Sequence, residues 1–137
     1  MTSNLDDLTA IRLRFQEIWG AAYPDVHYVF DNEPPGEEPD GPWVRLSVQP
    51  GVQRRRPGVA ITTYEQLGRA YLQVFIPDNE GDHDGWAMAE AVGDGFRDWR
   101  SEDWTLWVQA PTYSTAQQEG EPFMILVSMP YRSEHRP

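Results

Sequence analysis

Arg69-Ala70-Tyr71-Leu72-Gln73-Val74-Phe75-Ile76-Pro77 alternates without a break, Ala70, Leu72, Val74 and Ile76 against Tyr71, Gln73 and Phe75. A period of two is the signature of a strand with one buried face. Trp43 to Gln49 repeats the pattern, with Val44, Leu46 and Val48 on one face and Trp43, Arg45, Ser47 and Gln49 on the other. Between them, Val59 to Tyr64 reads as a further strand with a turn near Gly68, and Pro50 to Gly58, which holds Arg54, Arg55, Arg56 and two Pro, reads as the tip of a long hairpin.

Outward from this centre, Val26 to Phe30 predicts a short strand, and Thr105 to Ala110 and Phe123 to Tyr131 two more, joined by Pro111 to Pro122. Apolar residues at Leu5, Leu8, Ile11, Phe15, Ile18, Trp19 and Ala22 predict an opening helix capped by Ser3 with Asp6 as the reciprocal acid, ending near Gly20 to Pro24. A second helix is expected from about Trp86 to Arg100, with Ala89, Val92, Phe96 and Trp99 on one face. Gly93 and Gly95 each weaken it by about 1 kcal/mol relative to Ala, so close packing must hold it. The predicted fold is α+β, an antiparallel or mixed sheet with two helices on one face, in the order α-β-β-β-β-α-β-β. Residues 1–137 read as a single domain with exposed segments at 31–42, 50–58 and 77–85.

Composition narrows the chemistry. The chain has 137 residues, no Cys, and eleven basic residues that are all Arg. Lysine Schiff bases, P-loop lysines, thiol nucleophiles, disulfides and thiolate metal centres are excluded. Six Trp, six Tyr and five Phe must supply much of the core. No apolar run is long enough to span a membrane, and the polar, acidic start is unlike a signal peptide, so synthesis in the cytoplasm is expected.

The net charge of -11 is unevenly placed. Residues 1–41 carry nine acids and two Arg, residues 42–77 five Arg and Glu65 alone, and residues 78–103 nine acids and two Arg. A basic middle between acidic blocks favours self-association or a charged partner, because unlike patches on identical subunits can pair head to tail. Arg54, Arg55 and Arg56 are the candidate partner contacts. Ordinary solubility charge is the bland alternative.

Asp78, Glu80, Asp82 and Asp84, with His83 among them, form the densest set of oxygen donors, suited to a hard cation such as Mg or Ca. Their spacing does not match the twelve-residue calcium loop. A solvated acidic loop, or helix capping by Asp82 or Asp84, explains the same residues. His27 in a strand and His135 in a frayed C-terminus have no triad partner at a telling spacing. Glu37-Glu38 and Glu102-Asp103 are adjacent and exposed, a poor arrangement for acid-base work. No catalytic residue, and no cofactor beyond that structural cation, is therefore expected.

Several segments together carry a resemblance. They are Phe15-Gln16-Glu17-Ile18-Trp19, Phe30-Asp31-Asn32-Glu33-Pro34-Pro35, Pro42-Trp43-Val44-Arg45-Leu46, the strand Arg69 to Pro77, the Gly-rich acidic loop after it, and a helix ending in Phe96-Arg97. Over roughly residues 8–131 the pattern resembles the tail terminator family of long-tailed phages and phage-derived gene transfer particles. The resemblance implies a non-enzymatic subunit that closes as a hexameric ring on the tail tube. There it would stop polymerisation of the tube protein and meet the head-tail connector or stopper protein, first in the host cytoplasm and then in the particle's tail or neck. An acidic channel would let DNA pass without adhering, an inference from charge. A neck or stopper protein is the near alternative. An acidic DNA-mimic inhibitor would need negative charge along one face rather than in loops, and a metal-dependent hydrolase would need ligands from a second segment.

Overall fold

Ser3 and Asp6 close the first turn of the chain. The Ser3 hydroxyl accepts the Asp6 N–H at 3.2 Å and donates to the Asp6 carboxylate at 3.1 Å. From this cap, helix α1 runs Asn4–Ala22. The computed structural model describes residues 3–31, 33, 41–58, 61–77, 81–117 and 122–136. After α1 come β1 Tyr28–Phe30, β2 Trp43–Arg55, β3 Tyr64–Ile76, α2 His83–Phe96, β4 Leu106–Val108, β5 Thr112–Ala116 and β6 Phe123–His135.

The strands form one mixed six-stranded sheet in the order β1-β2-β3-β6-β4, with β5 also on β6. β1 is parallel to β2; the remaining pairs are antiparallel. β3 is the axis. It is paired with β2 on one side and along its whole length with β6 on the other. β5 and β4 share the far edge of β6, opposite 124–128 and 131–133. Pro130 stands at the changeover, where its carbonyl accepts the Gln109 N–H at 2.8 Å.

Both helices pack on one face of this sheet, as the α+β reading expects. Ala70, Leu72, Val74 and Ile76 of β3 are buried beside Val44 and Leu46 of β2 and Ile125, Val127 and Met129 of β6. Ile11, Phe15 and Trp19 of α1 and Met88, Ala89, Val92 and Phe96 of α2 close over them. Full burial contributes about 1.5–3 kcal/mol for each large side chain, so this one layer carries most of the stability. The narrow α1 stripe leaves Leu5 and Leu13 in solvent.

Two glycines in strand and helix are explained by contact rather than by turns. Gly68 lies inside β3, where a Cβ would fall within the buried Tyr131 ring of β6. The expected turn there is absent, and glycine stands in the strand because the aromatic ring occupies the space a side chain would need. Gly93 of α2 meets the Tyr113 hydroxyl of β5 in the same way. α2 also joins α1, because Arg14 Nη2 donates to the Gly95 carbonyl at 2.7 Å.

Other boundaries differ from the sequence reading. β2 continues through Arg55 with an irregularity between Pro50 and Gln53, so the hairpin tip lies beyond Arg56. The Arg56 N–H donates to the Thr63 carbonyl at 2.8 Å to close it. The strand expected at Val59 to Tyr64 is absent at Ile61 and Thr62, and Val59 and Ala60 lie outside the described residues. β5 occupies part of the expected loop at 111–122, and β6 extends four residues beyond Tyr131. Replacing Gly68 by Ala should push the Tyr131 ring out of its site at a cost of about 1–3 kcal/mol. A lowered urea midpoint with an unchanged slope is the expected result; a wild-type midpoint would show that the ring contact is soft.

Candidate interaction surface

Strand alternation that buries one face of the sheet presents the other. Trp43, Arg45, Ser47 and Gln49 of β2 stand beside Phe75, Gln73, Tyr71 and Arg69 of β3 and Met124, Leu126, Ser128 and Pro130 of β6. Both helices pack on the opposite face. Trp43 stacks on Phe75 with ring centroids 4.3 Å apart, and the Arg45 guanidinium lies 5.4 Å from the Trp43 ring centre. Arg69 donates to the Ser128 hydroxyl at 3.0 Å.

The far end of this face gathers arginine and tryptophan. Trp107 of β4 is opposite Arg132 of β6 and has two guanidinium groups near its ring, Arg100 at 4.6 Å and Arg132 at 5.2 Å from its centre. Arg100 also reaches Trp104, which is 71% exposed. Glu65 forms ion pairs with Arg132 at 3.5 Å and Arg54 at 3.7 Å, and Arg56 pairs with Glu134. The guanidiniums of these pairs are exposed and the two glutamates only partly so, and ion pairs screened by solvent in this way contribute about 0–1 kcal/mol to folding. Exposed Trp and Arg are also the residue types that most often anchor interfaces.

The three consecutive arginines are not one patch. Arg54 and Arg56 reach the outer face through Glu65 and Glu134, while Arg55 stands in register with Tyr64 and His135 on the other side of the strand. Trp104, Trp107, Arg100 and Arg132 join the first two only through folding. The one local signal was the alternation Tyr131-Arg132-Ser133-Glu134-His135, which places Arg132 and Glu134 together.

Behind this face runs a polar chain, buried at Asp7, Gln66, Ser133 and His135. Gln66 Nε2 donates to the carbonyls of Gly51 and Leu67, which leaves its oxygen to accept from Gln53 Nε2 at 3.3 Å. The same Gln53 nitrogen meets His135 Nδ1 at 2.9 Å, so the donor facing Asp7 Oδ2 at 2.8 Å is His135 Nε2–H. Ser133 donates to Asp7 Oδ1 at 2.6 Å. Asp7 is 2% exposed, and His135 is a buried strand residue rather than part of a frayed end. Although the set contains Ser, His and Asp, both Ser133 and His135 bond the carboxylate and no hydroxyl faces the imidazole, so this is a tether between α1 and β6 and not a nucleophile relay. Burial raises the Asp7 carboxyl above its ordinary value, against the pull of the two hydrogen bonds. Burial and the Asp7 charge push the Tyr131 phenol up to about 12.

Asp82 and Asp84 open α2. Asp82 occupies the cap position, where its carbonyl accepts the Trp86 N–H and its carboxylate the Trp86 indole N–H at 3.2 Å. Asp84 is exposed in the first turn, and Asp78 and Glu80 lie outside the described residues. Among the described residues no three His, Asp or Glu side chains converge as metal ligands, and no helix is long and apolar enough to cross a membrane. Asp103 is exposed and its carboxyl is held below its ordinary value by hydrogen bonds from the Ser101 and Thr105 side chains. Glu37 and Glu38 lie outside the described residues.

No protein-family model and no curated protein matches the chain. A solved protein structure superposes on it with a TM-score of 0.71 at 16% identity, over 100% of this chain and 99% of the other. That likeness establishes the architecture: the whole chain is one known arrangement of sheet and helices.

The tether gives a pH signature. Because the folded Asp7 holds its proton to higher pH than the unfolded chain does, its contribution favours the folded state below about pH 4 and is lost as pH rises through the folded value. Asp7→Asn removes the buried charge, so its stability relative to wild type should increase as pH rises from about 3 to 6. Urea unfolding across that range checks this; a flat or falling difference would contradict the assignment.

Proposed function

We propose that the protein is a structural assembly subunit of a phage-type tail, a tail terminator that closes as a homohexameric ring on the tail tube. In this role it stops tube polymerisation and presents a surface to the head-tail connector or stopper protein. The observation that carries the reading is the sheet face opposite both helices, lined by Trp43, Phe75 and Tyr71 and ending in Arg54, Arg132, Trp104 and Trp107. A face this rich in arginine and aromatics, backed by a rigid sheet, has the composition of a protein interface. It belongs to a subunit whose front and back differ, which is what a heterologous, ring-closing contact requires.

The sequence pattern supplies the rest of the support. The Phe15 to Trp19 helix end, the Pro42 to Leu46 strand opening and the Arg69 to Pro77 strand, the segments of the resemblance, are here α1, β2 and β3, the elements that build the core beneath that face. The -11 net charge fits a ring whose channel passes DNA without holding it. The subunit needs no catalytic group for this work.

The deciding experiment is genetic and visual. Removing the coding sequence from its parent particle should give tails of uncontrolled length, and adding purified protein to polymerising tube protein should yield capped tubes by negative-stain microscopy. Tails of normal length that fail to join heads would instead identify a neck or stopper protein. Normal, fully joined particles would end the structural reading.

A further inference from the structure

Charge in this protein is sorted across the sheet. Arg45, Arg54, Arg56, Arg69, Arg100 and Arg132, six of eleven basic residues, stand on the outer face, where Asp31, Glu65 and Glu134 offset part of their charge and leave a basic excess. On the other side, the exposed surface of α2 carries Asp84, Glu90 and Asp94, continued by Asp98. Those acids point away from the sheet, because Met88, Ala89, Val92 and Phe96 turn the opposite side of the helix into the core. Arg97 offsets Asp94 alone, at 2.8 Å. A basic, tryptophan-bearing front and an acidic back are therefore separated by the thickness of one sheet and one helix.

The geometry points to a second copy of this chain as the occupant of the arginine-tryptophan face, bound through the acidic side of its α2. This inference rests on the ring-forming reading above and assigns the two halves of its contact. Complementary potentials favour encounter and fix orientation, while front-to-front and back-to-back pairings set like charges together at a cost. The contact is heterologous by construction and so propagates from copy to copy instead of ending at a dimer, closing as a ring where its rotation permits. Exposed Trp104, beside Arg100, is the apolar anchor the charged surface needs, since surface ion pairs alone contribute little.

The test uses charge reversal in the full chain, read by sedimentation at low and high salt. Arg54→Glu with Arg132→Glu alters the front; Glu90→Arg with Asp94→Arg alters the back at exposed helix positions outside the core, where the Asp94 pair with Arg97 is the interaction lost. Each pair of substitutions should weaken association by roughly tenfold or more, and high salt should weaken wild type in the same direction. Mixing the two variants, or combining all four substitutions in one chain, should restore assembly, because every front then meets a back of opposite sign. A folded back-reversed variant that assembles as tightly as wild type overturns the assignment, as does failure of the fourfold variant to recover. If wild type forms rings that neither reversal nor salt disturbs, the assignment falls while the ring reading stands. If wild type neither self-associates nor caps tubes, the ring reading falls with it.

Discussion

The two-residue alternation of β3 is the constraint on which the rest of the molecule depends. β3 is flanked by β2 and β6 over nearly its full length, so its pleat fixes which side of all three strands is buried. Ala70, Leu72, Val74 and Ile76 define the floor on which both helices rest. The same pleat sends Arg69, Tyr71, Gln73 and Phe75 outward, and their neighbours in register complete a face that the helices leave open. A one-residue slip would exchange the two sets, placing arginine under the helices. The register is thus held by the cost of burying those charges as much as by the core.

The ends of the sheet solve a different problem. Beyond Gly68 the core face turns polar, with Gln53, Gln66, Ser133 and His135 beneath α1. Asp7 reaches them from the first turns of the helix, so the beginning and the end of the chain are fastened through one carboxylate. Burying that carboxylate is unfavourable, and the aligned donors offset only part of the penalty. On the other side of the same strands, Glu65 and Glu134 hold Arg54, Arg56 and Arg132 in partly exposed ion pairs. The molecule therefore keeps its costly electrostatics inside, where they orient α1, and its solvent-screened ion pairs on the outer face.

Much of this was legible in the sequence where one period dominated. The strands at 43–49 and 69–76, the Ser3 cap and the apolar stripe of α1 follow from spacing alone, and so does the single-faced core. Three features resisted. Gly68 looks like a turn in isolation, and only the Tyr131 ring across the strand pair explains it. β5 has no apolar alternation of its own, because Thr112, Ser114 and Ala116 all sit on the rim of β6. His135 follows a hydrophilic run that reads as a tail until its pairing with Tyr64 and its bond to Asp7 are known. For the surface, the charge blocks correctly marked a basic hairpin, but a block count cannot see that alternate residues of Arg54-Arg55-Arg56 leave in opposite directions. Nor can it see that Arg100, Trp104 and Trp107 arrive from another part of the chain.

The central claim is that front and back of this subunit recognise each other, and the complete absence of cysteine allows a direct measurement. Arg132→Cys places a thiol on the sheet face and Asp94→Cys places one on the exposed side of α2, so the two cannot bond within one molecule. Mild oxidation of an equimolar mixture, followed by non-reducing electrophoresis, reads the contact. The account predicts a mixed disulfide dimer from the two variants together and only background product from either alone. A mixture that does not cross-link, or a variant that links efficiently to itself, would contradict it.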